Sequence, residues 1–366
     1  MKIALLTYST KPRGSVIHTL ELAEALHDLG HSVCVFALDK DGKGFDYPLS
    51  CQVQLIPAHP APSEIDQLIA QRIQEFVNYF NQFPQQFDCY HAQDCLSANA
   101  LAILREQGYI PHFVRTVHHI EDYQSIYLQH CQDRSIREAS LCFCVSDRWK
   151  SELQEHYQIN APRVINGVNL KRFSAQDHFF DFSGHPIYLT VGGIEPRKNS
   201  ICLLQAFQKV LTRFPQAQLV IAGGATLFDY QEYRDEFFAI AESLNLKDSL
   251  VLLGVVADAD LPKLYQSADV FVFPSVKEGW GLVILEAIAS KIPVITSKQP
   301  PFTEFLNETQ ALLVDPYSVD AIVSAMCSVF DSADSLVAQS QSVLSQYTWE
   351  ISAQQHIHHY QTLLYA

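Results

Sequence analysis

Short apolar strands alternate with helix-length segments, and each strand hands over to its helix through a polar turn. The pattern is clearest over residues 268–297. ADVFVFPS (268–275) reads as a buried strand, and a turn carrying Glu278, Gly279, Trp280 and Gly281 follows it. From Leu282 to Ala289 apolar side chains nearly encircle a helix, so that helix must be largely buried. Lys291 and Pro293 stop it, and Pro-Val-Ile-Thr begins another strand. The chain opens in the same order. A strand at 2–8 leads into a polar loop at 9–15, and Val16, Leu20, Ala23 and Leu26 recur at helical spacing up to Gly30, a C-terminal cap. The next strand is HSVCVFAL. Units of this kind predict doubly wound α/β domains, with ligands at the carboxyl ends of the strands.

The turn at 277–281 has its own chemistry. A helix N-terminus carries unpaired N–H groups and about +0.5 of a charge, so it invites an anion. Gly281 removes a Cβ there and lets a ligand approach the backbone. Glu278 stands before the helix, and Glu286 lies roughly 7.5 Å along it at 1.5 Å per residue. An anion site flanked by two carboxylates suits a ligand with phosphate in its middle and hydroxyl-rich groups at both ends, which is the shape of a nucleotide sugar. A second such place follows the strand at 187–191. Lys198 lies at the start of a helix capped by Asn199 or Ser200, with Leu203, Phe207, Val210 and Leu211 on one face. A lysine there opposes the helix dipole, a mismatch that points to a bound anion such as a diphosphate.

Glu278 and Glu286, with seven residues between them around a Gly-aromatic-Gly turn, resemble the E-x7-E motif of the retaining, two-domain glycosyltransferases of family 4. The resemblance spans nearly the whole chain and is most specific over residues 187–316. It implies a GT-B fold, in which two Rossmann-like domains face across a cleft and a C-terminal helix crosses back to the first. The implied domains are 1–178 on the acceptor side, 179–345 for the nucleotide sugar, and 346–366 for the returning helix. It also implies roles for matching residues. Glu278 contacts the transferred sugar, Glu286 the ribose, the amides of Gly281 and Leu282 the diphosphate, Lys198 the same diphosphate, and the main chain at Val255 the base. Thr116-Val117-His118 matches the family's T-x-H, whose histidine lines the donor sugar. Gly14 matches the Gly-rich turn of the first domain in place, without the usual double glycine. RVINGVNLKRF resembles the segment that closes the first domain, with Asn169 in place of Asp. Many members carry Arg where this chain has Gly193, and Arg197 is the candidate to supply that charge from another direction.

Size and composition bound the alternatives. At 366 residues, and about 150 per domain, two domains are expected. A net charge of −15, with no Lys/Arg cluster, argues against nucleic acid as a partner. No run approaches ~18 apolar residues, so no transmembrane segment is expected. The nine cysteines include no C-x-x-C, and Cys142 and Cys144 fall in a strand, which suggests buried reduced thiols and a cytoplasmic protein. Neither G-x-G-x-x-G nor a P-loop motif occurs, so dinucleotide oxidoreductases and P-loop NTPases lose support. Asp258-Ala259-Asp260 reads as helix-start carboxylates, and His356, His358 and His359 point apart on a helix, so no metal site is expected.

The expected activity is therefore transfer of a hexose, with retention, from a nucleotide diphosphate sugar to an acceptor. No cofactor is expected beyond that donor. The acceptor stays open among small molecule, glycan and lipid, and the base among uracil, guanine and adenine. The segments 40–61 and 121–131 are the expected acceptor loops. Two other readings share these residues: a nucleotide-sugar-binding protein without turnover, and a phosphorylase or epimerase of the same architecture.

Overall fold

The computed structural model describes residues 1–173, 180–224 and 230–365. The chain forms two compact units, residues 1–167 with 348–366, and residues 168–347. The expected domain boundary at 178/179 falls on residues outside the described ones.

Unit 1 holds a six-stranded parallel sheet of β1 (Lys2–Thr7), β2 (Ser32–Asp39), β3 (Gln52–Pro57), β4 (Cys89–Ala92), β5 (Val114–Val117) and β6 (Leu141–Cys144), ordered β3-β2-β1-β4-β5-β6. Unit 2 repeats the plan with β7 (Ile187–Val191), β8 (Gln218–Ala222), β9 (Leu250–Gly254), β10 (Val270–Phe273), β11 (Val294–Ser297) and β12 (Leu312–Val314), ordered β12-β11-β10-β7-β8-β9. All the pairings are parallel, so each strand needs a crossover, and helices cover the sheets. Central strands are accordingly covered on both faces: β4, β5 and β10 are buried at every residue, including the polar His91, Arg115 and Thr116. This is the predicted doubly wound α/β architecture, built twice.

Both sheets reverse direction of build at one place. In unit 1 the reversal lies between β1 and β4, and in unit 2 between β7 and β10. The crossovers that follow those strand pairs run to opposite faces of the sheet, and the crevice at the strands' carboxyl ends is where ligands bind in such sheets.

Two sequence expectations change. Residues 40–61, expected as an acceptor loop, contain β3, an edge strand whose alternating Gln and apolar residues are half exposed. Residues 121–131, expected as another, enter a helix at Ile126, capped by the Ser125 hydroxyl. The last helix, Trp349–Tyr365, belongs to unit 1. Its start packs on Gly167, where an added Cβ would lie 2.2 Å from the Trp349 nitrogen and 2.4 Å from the Thr348 carbonyl carbon. Ser352 donates to the Ile165 carbonyl at 2.6 Å, and Gln355 accepts from the Ile165 amide at 2.9 Å. Among the described residues no single helix is long and apolar enough to cross a membrane.

The backbone contact at Gly167 leaves no room for a methyl group. Gly167→Ala should destabilise unit 1 by about 1–3 kcal/mol, the usual cost of overpacking, read as a lower melting temperature by calorimetry. An unchanged melting curve would mean that the final helix does not dock there as described.

Candidate active site

In unit 2 the reversal brings two loops together. The loop after β7 ends in a 3-10 turn, Pro196–Lys198, and leads into the helix Ser200–Val210. The loop after β10 carries Ser275 and Glu278 and leads into the helix Leu282–Ala289. They are stitched through backbone: the Val276 amide donates to the Arg197 carbonyl at 2.8 Å, and the Ser275 hydroxyl to the same carbonyl at 2.7 Å. Asn199, one of the two expected caps, holds the N-cap position, but its side chain makes no cap hydrogen bond. It adopts a left-handed backbone (φ +61°), and its amide donates instead to the carbonyls of Pro316 (2.6 Å) and Pro274 (3.2 Å). Those bonds tie the cationic turn to the ends of β10 and β12.

The side chains converge on one oxygen. Glu278 Oε1 accepts from Lys198 Nζ at 2.6 Å and Arg197 Nη1 at 2.8 Å, and Ser275 Oγ, whose one proton is shared with the Arg197 carbonyl, lies 3.0 Å away. Arg197 also pairs through Nε with Oε2 of the buried Glu195, at 2.9 Å. Two cations thus face two carboxylates. Burial pushes the Glu278 carboxyl up, but Lys198 and Arg197 outweigh it and hold its pKa below the ordinary value. Burial lowers the Lys198 pKa, Glu278 offsets part of that, and Arg197 adds to the lowering. The ammonium also lies over the Phe273 ring, 4.4 Å from its centroid.

Glycines set the shape. Gly192 has φ +147°, and a Cβ there would lie 3.0 Å from Lys198 Cε, so the lysine stem folds over a bare backbone. Gly281 caps the helix Leu282–Ala289 with φ +106° and makes no side-chain cap bond. Its missing Cβ answers to Phe302 as well as to a ligand, since a Cβ would meet that ring at 2.8 Å. At Gly193 a Cβ would stand 2.6 Å from the Gly224 carbonyl oxygen and 2.8 Å from Glu195 Oε1. No arginine fits position 193 on this backbone. Arg197, the expected substitute, is held by Glu195 and Glu278.

Glu286 is buried on the same helix, and Oε2 accepts from the Tyr265 hydroxyl at 2.8 Å. Burial raises its pKa, against the charge of Arg172 and the tyrosine bond. Asp258 opens the 3-10 turn Asp258–Asp260 that leads into the helix Leu261–Gln266, as the sequence predicts, and its carboxylate also accepts from Arg172. Val255, just beyond β9, is 67% exposed and lies over Gly224. Trp280 in the turn is a core anchor, stacked on Phe305 with centroids 4.5 Å apart and tilted against Tyr347.

Unit 1 holds the other two candidates. Gly14 begins the helix Gly14–Asp28 with open space where its Cβ would be. His118 follows β5, half-buried, with Nε2 3.1 Å from Gln93 Oε1. The structure thus joins Lys198, Arg197 and Glu278 in direct contact. It places Gly281, Leu282 and Glu286 on the turn and helix that follow, and leaves Val255 at a neighbouring strand end. Gly14 and His118 belong to the other reversal. Sequence reasoning missed Ser275, Glu195, Tyr265 and Arg172. Ser275 carried a signal, as a hydroxyl at a strand end. Glu195 lies two residues before Arg197 in the same loop, while Tyr265 and Arg172 meet the site from distant segments with no motif around them.

Comparison with known proteins agrees with this architecture. Residues 175–345 match the family described as glycosyl transferases group 1, and residues 12–172 match glycosyltransferase family 4. An uncharacterized glycosyltransferase of Methanocaldococcus jannaschii is 27% identical, over 98% of each chain. A phosphatidyl-myo-inositol mannosyltransferase of Mycolicibacterium smegmatis is also 27% identical, over 96% of this chain and 91% of its own. Among solved structures, a sucrose-phosphate synthase of Thermosynechococcus elongatus superposes with a TM-score of 0.80 at 23% identity, covering 99% of this chain and 98% of the other. The HepE protein of Anabaena, crystallised with UDP-glucose, superposes with a TM-score of 0.79 at 18% identity, covering 99% and 100%. The two matched segments fall one on each half of the doubled α/β plan, and with glycosyltransferases among relatives that run the full length, the chain belongs to the group 1, family 4 glycosyltransferases.

Proposed function

We propose that this glycosyltransferase moves a hexose from a nucleotide diphosphate sugar to an acceptor, with retention and without a metal or other cofactor. The observation that carries the reading is the cluster at the β7/β10 reversal, where Lys198 and Arg197 share Glu278 beside the uncapped helix at Gly281. A diphosphate is the anion that two cations and a helix terminus would hold. HepE, solved with UDP-glucose, supports a nucleotide sugar as the donor.

Binding then works as an exchange. The diphosphate takes Lys198 and Arg197 from Glu278, and the amides of Gly281 and Leu282 add the helix terminus. Glu278, released from its cations, accepts hydrogen bonds from the sugar hydroxyls. Glu286, oriented by Tyr265, receives the ribose, and the main chain at Val255 meets the base. The resemblance assigns Gly14 and His118 to the donor as well. As the glycosidic C–O bond breaks, charge builds on the departing diphosphate, and the same cations stabilise it. The acceptor hydroxyl attacks from the face the leaving group departs, passing its proton to a phosphate oxygen, so the anomeric configuration is kept. Isolation of a sugar–enzyme adduct would overturn this route.

Thermal shift across UDP-, GDP- and ADP-sugars tests the donor site. One nucleotide class should stabilise the protein, by about 2.7 kcal/mol at a hundredfold excess over its dissociation constant. Lys198→Ala and Glu286→Ala should abolish the shift, and no shift with any class would remove the donor assignment.

Exchange at Glu278 makes a sharper forecast. Glu278→Ala should slow turnover by roughly 10²–10³, the range for a lost transition-state contact. It should at the same time tighten binding of the free nucleoside diphosphate in calorimetry, because the cations no longer leave a carboxylate. Weaker diphosphate binding in that variant would contradict the exchange.

The pH profile follows from the lysine. Lys198 is active when protonated, and its pKa lies below the ordinary 10.5. Activity should therefore fall on the alkaline side earlier than an ordinary lysine would impose. Lys198→Arg should move that fall beyond the measurable range, since arginine keeps its proton. An alkaline limb unchanged in Lys198→Arg would assign it to another group.

A further inference from the structure

Gln93 is a fully buried amide in unit 1 with no part so far in the chemistry. It follows β4, and its backbone N–H donates to the Leu6 carbonyl of β1 at 2.9 Å, so it stands at the β1/β4 reversal. Its side chain lies between two imidazoles. Oε1 is 3.1 Å from His118 Nε2, while Nε2 is 3.4 Å from His91 Nδ1 and 3.3 Å from His91 Nε2. Both nitrogens of His91 are already engaged, Nδ1 with the Tyr360 hydroxyl at 2.6 Å and Nε2 with the Thr116 hydroxyl at 2.7 Å.

Those distances orient the amide. A group nearly equidistant from two ring nitrogens, whose in-plane directions are both filled, lies against the face of the ring. That face is the negative side of the ring quadrupole, so it attracts an N–H and repels a carbonyl oxygen. The amide nitrogen therefore belongs on His91 and the carbonyl on His118. A carbonyl only accepts, so His118 Nε2 must carry the proton and Nδ1 keeps the lone pair. Neutrality is enforced around it. Burial pushes the His118 pKa well below the ordinary value, and His18 of the first helix, Arg115 of β5, the adjacent His119 and His91 of β4 add to that. The His18 ring meets His118 edge to face, centroids 4.7 Å apart.

We propose that Gln93 is a positioning residue: it locks His118 in the Nε2–H tautomer and so presents Nδ1 as an acceptor to a hydroxyl of the bound sugar. The inference rests on the assignment of His118 to the donor sugar made above. Tyr360 carries the last helix into this function, since its hydroxyl holds the ring on which Gln93 leans.

The test begins with the wild-type protein carrying 15N-labelled histidine. Long-range 1H–15N spectra separate the two neutral tautomers, and His118 should show Nε2–H. An Nδ1–H tautomer overturns the proposal without any variant. Gln93→Leu should give a tautomer mixture. Release of nucleoside diphosphate from UDP-glucose, GDP-mannose or ADP-glucose, whichever the wild type consumes, should fall by about 10–100-fold in kcat, the same range as for a hydrogen bond that orients a metal-bound imidazole. Its KM should hold, because the diphosphate and ribose contacts are intact. Gln93→Glu keeps an acceptor on Nε2 but sets a second oxygen against the His91 ring, so it should recover kcat only in part, and more of it than Gln93→Leu keeps. Its acid limb should move to higher pH, because a carboxylate beside His118 raises that pKa. Equal losses in both variants, or an unchanged tautomer in Gln93→Leu, would reduce Gln93 to packing. His118→Ala separates the two levels. If it keeps full turnover, the sugar assignment of His118 fails and this inference with it. If it loses turnover while Gln93→Leu keeps both tautomer and rate, only the inference about Gln93 fails.

Discussion

Parallel strands cannot be joined by tight turns, and much else in this protein follows from that. Every strand must be followed by a crossover, so all the strands of a sheet release their chains at the same edge. Where the order of build reverses, neighbouring strands send their crossovers to opposite faces of the sheet, and a crevice opens at that edge. In unit 2 that opening lies between β7 and β10, and the cationic turn after one strand meets the acidic turn after the other. Lys198 and Glu278 are eighty positions apart in the chain. They touch because the sheet has one reversal and both stand beside it.

That meeting has a cost which shapes the chemistry. Arg197, Lys198, Glu195 and Glu278 are largely withdrawn from water, and each charge is tolerable only because an opposite one lies within hydrogen-bond distance. A site of this kind is poised for exchange. An incoming dianion removes the cations from their carboxylate and leaves that carboxylate in need of donors, which sugar hydroxyls provide. The cluster is neutral before binding, and the excess negative charge that the dianion brings is offset by the helix terminus at Gly281 and by hydrogen bonds from the sugar to Glu278, in a protein whose net charge is −15. Unit 1 uses another device at its own reversal, the buried His18 and His91 and the half-buried His118, whose pKa values burial lowers and whose ring nitrogens have amide and hydroxyl partners.

Legibility in the sequence followed the physics of each element. Central strands such as β10 are buried on both faces, so an unbroken apolar run announces them. The helix Leu282–Ala289 was readable for the same reason. Edge strand β3 was not, because a half-exposed Gln-Val-Gln-Leu segment has little to distinguish it from a loop. The helix at Ile126 was hidden by its polar composition. Asn199 was read as a cap because asparagine often is one, yet its amide found stronger demand among the carbonyls of Pro274 and Pro316.

By itself the sequence determined the α/β class, the doubling of the plan, and the chemical types in the turns: a Lys beside a helix start, a Glu before a glycine cap, a His at a strand end. These are local facts, set by periodicity and by backbone groups that a helix terminus leaves unpaired. Only the tertiary structure decided who faces whom. It put two cations on one oxygen of Glu278, closed position 193 to any side chain through Gly224, gave Glu286 to Tyr265, and set Gln93 between His91 and His118. Such pairings depend on strand order and on the close packing of segments remote in the chain, and no spacing within a single segment encodes them.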